Sequence, residues 1–212
     1  TVSISDHISS VSKSCFFSIC DIKKIRSTLD HTTAHTMDTS LINSKLDYCN
    51  SLFLNLPQSQ LNRLQLILNS SARAVSKSPK FCHITPLLKS LHWLKIKQRI
   101  EYKVLSTTYK TLQSGQPSYL HSLLNVQSNR TTRSSDIITL QRPSVHSRLK
   151  VTDRSFTHHA PVLWNSLPKQ LRQPSAHQSL GTPTYHTPLL ALSSHQFHSK
   201  LKTFLFDQSF PP

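Results

Sequence analysis

Residues 61–112 read LNRLQLILNSSARAVSKSPKFCHITPLLKSLHWLKIKQRIEYKVLSTTYKTL and decide the fold of this 212-residue chain. Apolar side chains return every three or four residues along two long runs, which is the period of a helix with one buried face. The stretch also carries ten lysines and arginines against one acid, Glu101, and so holds +9 of the chain's formal charge of +16. Residues 1–60 balance five bases with five acids. The positive charge is therefore local, which indicates a surface for a polyanionic partner.

The same pattern, followed outward, predicts a mainly α fold, with a helical bundle over 1–124 and a loosely structured C-terminal region after it. Within the bundle, helices are expected over 5–26, 33–54, 61–77, 85–91, 96–113 and 117–124. The segment 125–173 is expected to contain a short β-hairpin, formed by 137–140 and 148–151, and a short helix over 156–168 that carries Trp164. Low complexity predicts a mobile linker over 174–194, and apolar spacing predicts a last amphipathic helix with its tail over 195–212.

Composition excludes several classes of protein. The chain contains two glycines, Gly115 and Gly181, too few for a glycine-rich phosphate loop or a dinucleotide fingerprint. It shows neither the basic and apolar leader of a signal peptide nor a run of about 18 apolar residues. Four sparse cysteines favour reduced thiols inside a cell. We therefore expect an intracellular protein. Because the chain starts at Thr1 and its single methionine is Met37, we also expect it to be a fragment of a longer protein.

Metal-binding and catalytic motifs are weak. His31 and His35 have the spacing of two zinc ligands on one helix face, but HTTAH lacks the glutamate of a zinc protease motif and no C-x2-C pair is present. Polar surface histidines are therefore favoured over a zinc site. No G-x-S-x-G motif and no paired carboxylates occur among the nine acids. We expect no catalytic residue, no metal, no cofactor and no small-molecule substrate.

Two helix faces concentrate the positive charge. In the 61–77 helix, Arg63, Arg73 and Lys77 fall opposite the apolar stripe, and in the 96–113 helix a basic stripe is bordered by two tyrosines. The predicted contacts with nucleic acid are Arg63, Arg73, Lys77, Lys97, Arg99, Lys103 and Lys110 on phosphates, with Tyr102 and Tyr109 stacking on sugars or bases. The alternatives are a solvated face without a ligand and a membrane-surface helix that uses Trp93. We expect nucleic acid and no membrane.

Five motifs in collinear order resemble one family. They are SDHISSVSKSC (5–15), SKLDYCNSLFLNLP (44–57), LQLILNSSARAVSKSPKFCHITPLLKSLHWLKIKQRIEYKVLSTTYKTLQSGQPSYLHSLL (64–124), VLWNSLPKQLR (162–172) and SKLKTFLF (199–206). Together they resemble the C-terminal part of the reverse transcriptase of non-LTR (LINE-type, jockey-like) retrotransposons, over nearly the whole chain. The most specific signatures are LDYCN, residues 46–50, and the run 83–99.

The resemblance implies a parent RNA-directed DNA polymerase whose metal-binding aspartates, palm and fingers lie before Thr1. This chain would then be the thumb-like bundle and the region after it, which grips RNA or an RNA–DNA duplex without a catalytic residue of its own. It departs from the family at Lys95, where members usually have proline, and in the length of 174–194. Two other hypotheses stay open: a helical protein–protein module that binds acidic partners, and a translated transposon relic without function.

Overall fold

The computed structural model describes residues 4–127, 137–143, 155–175 and 189–211. These residues are mainly α-helical, as predicted. The β pairing among them consists of isolated antiparallel bridges and forms no sheet. The helices are α1 (Ile4–Ile25), α2 (His31–Asp38), α3 (Ser44–Asp47), α4 (Gln58–Val75), α5 (Ile84–Ser90), α6 (Ile96–Ser114), α7 (Ser118–His121), α8 (Phe156–Asn165) and α9 (Ser194–Ser209). A π-helical turn covers Thr39–Asn43, and 3-10 turns cover Asn50–Phe53 and Lys169–Leu171.

The chain divides into two compact units. Unit 1 comprises Thr1–Ile100 and Leu205–Pro212, and unit 2 comprises Glu101–Phe204. The two divisions fall inside α6 and α9. They therefore differ from the segment boundaries at residues 124, 173 and 194 that the sequence suggested.

Helices α1 and α4 build much of the core of unit 1, and both begin and end within a few residues of the prediction. The buried residues of α1 include Ile8, Cys15 and Ile19, and α4 buries Leu64 and Leu68. The two helices pack against each other, so these side chains leave water together. Such burial contributes about 1.5–3 kcal/mol for a large aliphatic side chain, which is why the apolar period was a reliable guide here.

The helix predicted over 33–54 is wrong in its last third, from residue 48 onward. Helix α2 continues through the π-helical turn into α3, which ends at Asp47. Tyr48 is then extended, with ψ of 117°, and Cys49 is left-handed, with φ of 51°. The break places Phe53 in the core and leaves Tyr48 70% exposed. Neither glycine nor proline marks this position, so apolar spacing alone does not reveal the break.

Helix α4 ends before Lys77, which corrects the face predicted for that residue. The last helical residue is Val75, Lys77 has φ of 50°, and the Ser78 N–H donates to the Arg73 carbonyl at 3.0 Å. This bond, which spans six residues, belongs to the Schellman type of helix C-terminus. Lys77 consequently lies beyond the helix and does not share the α4 face of Arg63.

An aromatic cluster forms the core of unit 2. The Phe197 ring stacks with those of Tyr109 and Trp164, at centroid distances of 4.0 and 6.0 Å. All three side chains are at most 2% exposed. The Trp164 indole N–H donates to the Ile138 carbonyl at 3.0 Å, so its one polar group is satisfied although the ring is buried. The short helix predicted to carry Trp164 is observed as α8, and it places this ring in the core.

The second arm of the predicted hairpin, residues 148–151, lies outside the described residues. In the first arm, Leu140 forms an isolated antiparallel bridge with Val126. The Asn165 amide fixes the same backbone, since it donates to the Leu140 carbonyl at 2.8 Å and accepts from the Leu140 N–H at 3.0 Å. The predicted mobility of 174–194 also falls mostly outside the described residues, and a second bridge joins Pro174 to Leu190.

Candidate nucleic-acid interface

The residues predicted to contact nucleic acid are divided between the two units. Unit 1 contains Arg63, Arg73, Lys77, Lys97 and Arg99, and unit 2 contains Tyr102, Lys103, Tyr109 and Lys110. Each unit therefore presents its own set of basic side chains.

Two arginines project from α4 in unit 1. Arg63 is exposed, and its Nη1 donates to the Ser9 hydroxyl at 3.3 Å. Arg73 is half-buried, and its Nη2 donates to the Cys82 carbonyl at 3.2 Å. Arg73 thereby ties the segment after α4 to the helix. Of the two, Arg63 is better placed for a phosphate from outside.

Arg99 is held by an ion pair inside unit 1. Its Nε and Nη2 donate to the two carboxylate oxygens of Asp47 at 2.9 and 2.5 Å, and its side chain is 14% exposed. A bidentate guanidinium–carboxylate pair is stronger than an ordinary hydrogen bond. A phosphate would have to displace Asp47 to reach Arg99, so the geometry favours a structural role for this residue. Lys77 and Lys97 are exposed.

Unit 2 contains a cleft of about 650 Å³ along one face of α6, called here the α6 cleft. Lys103, Thr107 and Lys110 follow one another at spacings of four and three, so they share that face and line the cleft. The two lysines lie about 10 Å apart along the helix axis. Helix α9 contributes Ser194 and His198, and none of the described lining residues is acidic. Two cations on one wall of an acid-free cleft offer a site for an anion.

Both predicted stacking tyrosines are already engaged. Tyr109 is 2% exposed, its ring stacks on Phe197, and its hydroxyl donates to the Leu192 carbonyl at 2.7 Å. Burial also raises the pKa of Tyr109. Its ring therefore has no free face for a base, which corrects that prediction. Tyr102 is half-buried, and the Lys202 ammonium lies 5.8 Å from its ring centroid.

His198 is a cleft residue that the sequence did not reveal. Its Nδ1 lies 3.2 Å from the Tyr102 hydroxyl oxygen and 3.3 Å from the Ser106 hydroxyl oxygen. Burial, and then the positive charge of Lys202, lowers the pKa of His198. The neutral ring is favoured at neutral pH, so the lysines supply the charge of the cleft. With thirteen histidines in the chain, no local signal distinguishes this one.

The described part of unit 2 is strongly basic. Glu101 is the one acid among those residues. The bases are Lys103, Lys110, Arg142, Lys169, Arg172, Lys200 and Lys202. Charge of one sign beside a concave, low-dielectric wall focuses the field into the cleft and attracts counterions.

Other chemistry is sparse in the ranges that the structure covers. Within them, no group of three or more histidine, cysteine or carboxylate side chains is placed to hold a metal ion. The cysteines are free thiols, and burial raises the pKa of Cys15. No helix in these ranges combines the length and apolar content needed to cross a bilayer. What the described residues offer a ligand is positive charge and hydroxyl donors.

The fold and the cleft define a class, a basic and mainly helical protein with a lysine-lined cleft in its second unit. No protein-family model, curated protein or solved structure matches the chain. The resemblance to non-LTR reverse transcriptases therefore stays a hypothesis that rests on the sequence motifs.

Proposed function

We propose that the chain binds RNA or an RNA–DNA duplex through the phosphate backbone, as the non-catalytic C-terminal part of a retrotransposon RNA-directed DNA polymerase. The α6 cleft carries the proposal, because Lys103 and Lys110 share its wall and no acid is found among the lining residues that the structure describes. Each lysine that meets a phosphate releases condensed counterions, which gives affinity without reading the base sequence. In unit 1, the exposed Arg63, Lys77 and Lys97 offer further phosphate contacts. The palm and fingers of the polymerase would be its protein partners.

The test is the salt dependence of binding by the full chain. Fluorescence anisotropy with a labelled RNA–DNA hybrid gives the Kd at salt concentrations between about 50 and 200 mM. We expect a linear fall of log K with log salt, with a slope of several released ions. The double variant Lys103→Gln, Lys110→Gln should reduce that slope by about 2, since each phosphate contact contributes roughly 0.9 on B-form DNA.

The matched control removes the same charge elsewhere in unit 2. Lys169 and Lys200 are exposed and do not line the cleft, so Lys169→Gln with Lys200→Gln lowers the net charge equally. Its slope should stay close to that of the unaltered chain. Equal losses in both double variants would show that net charge alone governs binding, and the cleft would then lose its role.

A helical protein-interaction module is the second candidate function, favoured by exposed aromatic side chains. On α1, Phe16 and Phe17 are 56% and 65% exposed, and Phe81 is 93% exposed. Exposed apolar groups of this size mark partner surfaces when they form a patch. This candidate becomes the favoured function if a cooperatively folded sample shows no saturable binding of the hybrid at low salt. An acidic protein that used the α6 cleft would be displaced by added hybrid.

A further inference from the structure

The turn that follows α4 presents a phenylalanine to solvent. The Cys82 N–H donates to the Pro79 carbonyl at 3.1 Å, which closes a four-residue turn with Lys80 and Phe81 at its two central positions. The Phe81 side chain is 93% exposed. Single exposed apolar side chains are common on protein surfaces, so exposure by itself gives the ring no function.

Both ends of this turn are anchored to Arg73, near the end of α4. The Arg73 carbonyl accepts from the Ser78 N–H at 3.0 Å, and its guanidinium Nη2 donates to the Cys82 carbonyl at 3.2 Å. Pro79 restricts the backbone between these two bonds, because its ring fixes φ. A side chain on an anchored turn loses less conformational freedom on binding than one on a free loop. The turn is thus preorganised to present Phe81 to a ligand.

The turn belongs to a stretch of chain whose charged side chains are all positive. Lys77 and Lys80 are exposed, and the sequence contains no aspartate or glutamate between Asp47 and Glu101. The exposed phenylalanines of α1 have a different setting, since residues 1–60 balance five bases with five acids. A partner that contacts Phe81 and these lysines together is therefore expected to carry negative charge.

A nucleic-acid strand with an unpaired base combines the two properties that this turn can bind. Its phosphates pair with lysines, and the flat face of its base stacks on an aromatic ring, as in proteins that bind single strands. Bases inside a duplex are stacked on one another, so only an unpaired base offers a face to Phe81. A bilayer surface also attracts cations, but a single phenylalanine lacks the broad apolar face with which interfacial helices enter a bilayer.

We propose that Phe81 stacks on an unpaired base of the strand that the chain binds, with Lys77 and Lys80 on the phosphates beside that base. Stacking needs a flat aromatic face and no particular base, so the contact distinguishes unpaired from paired nucleic acid without reading sequence. A hybrid with an unpaired extension is accordingly a better ligand than a blunt one. The inference rests on the proposed function for the strand itself.

The experiment compares two RNA–DNA hybrids, each bound to the full chain at low salt. In both, the RNA extends beyond the DNA at each end, and in one of them the extensions are abasic, so the two ligands carry the same charge. The hybrid with bases should bind about tenfold more tightly, within the range expected for one stacked base. Phe81→Ala should abolish this preference. Phe17→Ala is the matched control, because Phe17 is also exposed, and it should keep the preference.

Stacking also gives a spectroscopic signal that a purely structural role would not. Trp93 and Trp164 are buried, so Phe81→Trp introduces an exposed indole. Its emission should be quenched by the hybrid with bases and much less by the abasic hybrid. Phe81→Ala removes an exposed side chain, so its melting temperature should equal that of the unaltered chain. An unchanged melting temperature excludes misfolding as the cause of a lost preference.

The outcomes separate this inference from the proposed function. Equal affinity of the unaltered chain for the two hybrids overturns stacking by Phe81 and leaves backbone binding standing. A preference that Phe81→Ala retains places the stacking group elsewhere and also overturns the inference. If neither hybrid binds, the proposed function and the inference both fail. Binding to vesicles of anionic lipid that Phe81→Ala abolishes, with no preference between the hybrids, would overturn the inference and assign the ring to a membrane surface.

Discussion

Asp38 lies at the end of α2 with its side chain fully buried. Its two carboxylate oxygens accept hydrogen bonds from the Ser71 hydroxyl and from the Asn43 amide, the latter at 2.7 Å. Burial raises the pKa of Asp38 to about 6, against the lowering effects of the Ser71 hydrogen bond and the charge of Arg99. The folded chain therefore holds this proton over a range in which the unfolded chain, with the ordinary value of 3.8, has released it.

The sign of the resulting pH dependence follows directly. Between pH 3.8 and about 6 the folded state binds more protons at Asp38, so its contribution to the free energy of unfolding falls as pH rises. The loss reaches about 3 kcal/mol and persists above that range. Asp38→Asn should remove this slope and raise stability at pH 7. Its amide has partners available, because the buried Asn43 Oδ1 meets no donor among the described residues and would accept from it after an amide flip.

Urea unfolding at a series of pH values measures the slope for Asp38→Asn. Asp21→Asn is the control, since the Asp21 carboxylate is 72% exposed in its pair with Lys24 and its loss leaves Asp38 in place. The control should retain the decline between pH 4 and 6 that the Asp38 variant loses. Parallel pH profiles for the two variants would contradict the assignment to Asp38.

At the scale of single elements, helix α9 depends on its first turn. The reciprocal bonds between Ser193 and Gln196 satisfy two N–H groups that a helix start otherwise leaves without partners. Phe197 follows at once and carries the stack on Tyr109 and Trp164. Ser193→Ala should lower the free energy of unfolding by about 1 kcal/mol, a usual value for a lost cap.

The measurement is urea unfolding followed by circular dichroism. Ser199→Ala, at an exposed position inside α9, is the matched control and should leave stability unchanged or slightly higher, since alanine favours helix interiors. A cost in the control equal to that of Ser193→Ala would mean that the hydroxyl of Ser193 does not act as a cap.

The sequence predicted best those elements that form through interactions between residues close together in the chain. Helices α1, α4 and α6 came out close to their observed bounds, because an apolar stripe is a local property of ten to twenty residues. The break at Tyr48 and Cys49 has no local marker, since a left-handed conformation is uncommon for cysteine and no glycine or proline stands there. Only part of the α6 cleft could be predicted from the sequence. Lys103 and Lys110 follow from helical spacing, whereas His198 joins them only through the fold.

The same limit explains the tyrosine and arginine contacts that the sequence could not place. Tyr109 borders the basic stripe in a helical projection, yet its partner in the core, Phe197, is 88 residues away along the chain. In the sequence Arg99 is one base among several, and only the structure shows that it forms an ion pair with the carboxylate of Asp47. The charge pattern of the sequence predicts which helix face would attract a polyanion. Only tertiary contacts tell which of its side chains are already occupied.

At the scale of the whole molecule, a formal charge of +16 raises a question that affinity alone does not answer. An unfolded chain with this charge also attracts polyanions, because counterion release needs no defined surface. A ligand that binds folded and unfolded chains equally leaves their equilibrium unchanged, however tightly it binds. Thermal stability therefore separates a shaped site from diffuse attraction.

We expect the RNA–DNA hybrid to stabilise the folded chain. At a free concentration of 100 times Kd, binding to the folded state alone contributes about 2.7 kcal/mol, which corresponds to a rise in Tm of about 5–10 °C for a chain of this length. Differential scanning fluorimetry at low salt measures the rise, which should shrink at high salt and in the Lys103→Gln, Lys110→Gln variant. The Lys169→Gln, Lys200→Gln control should keep it. Tight binding with no change in Tm would mean that the hybrid meets charge without recognising the fold, and the α6 cleft would then not be its site.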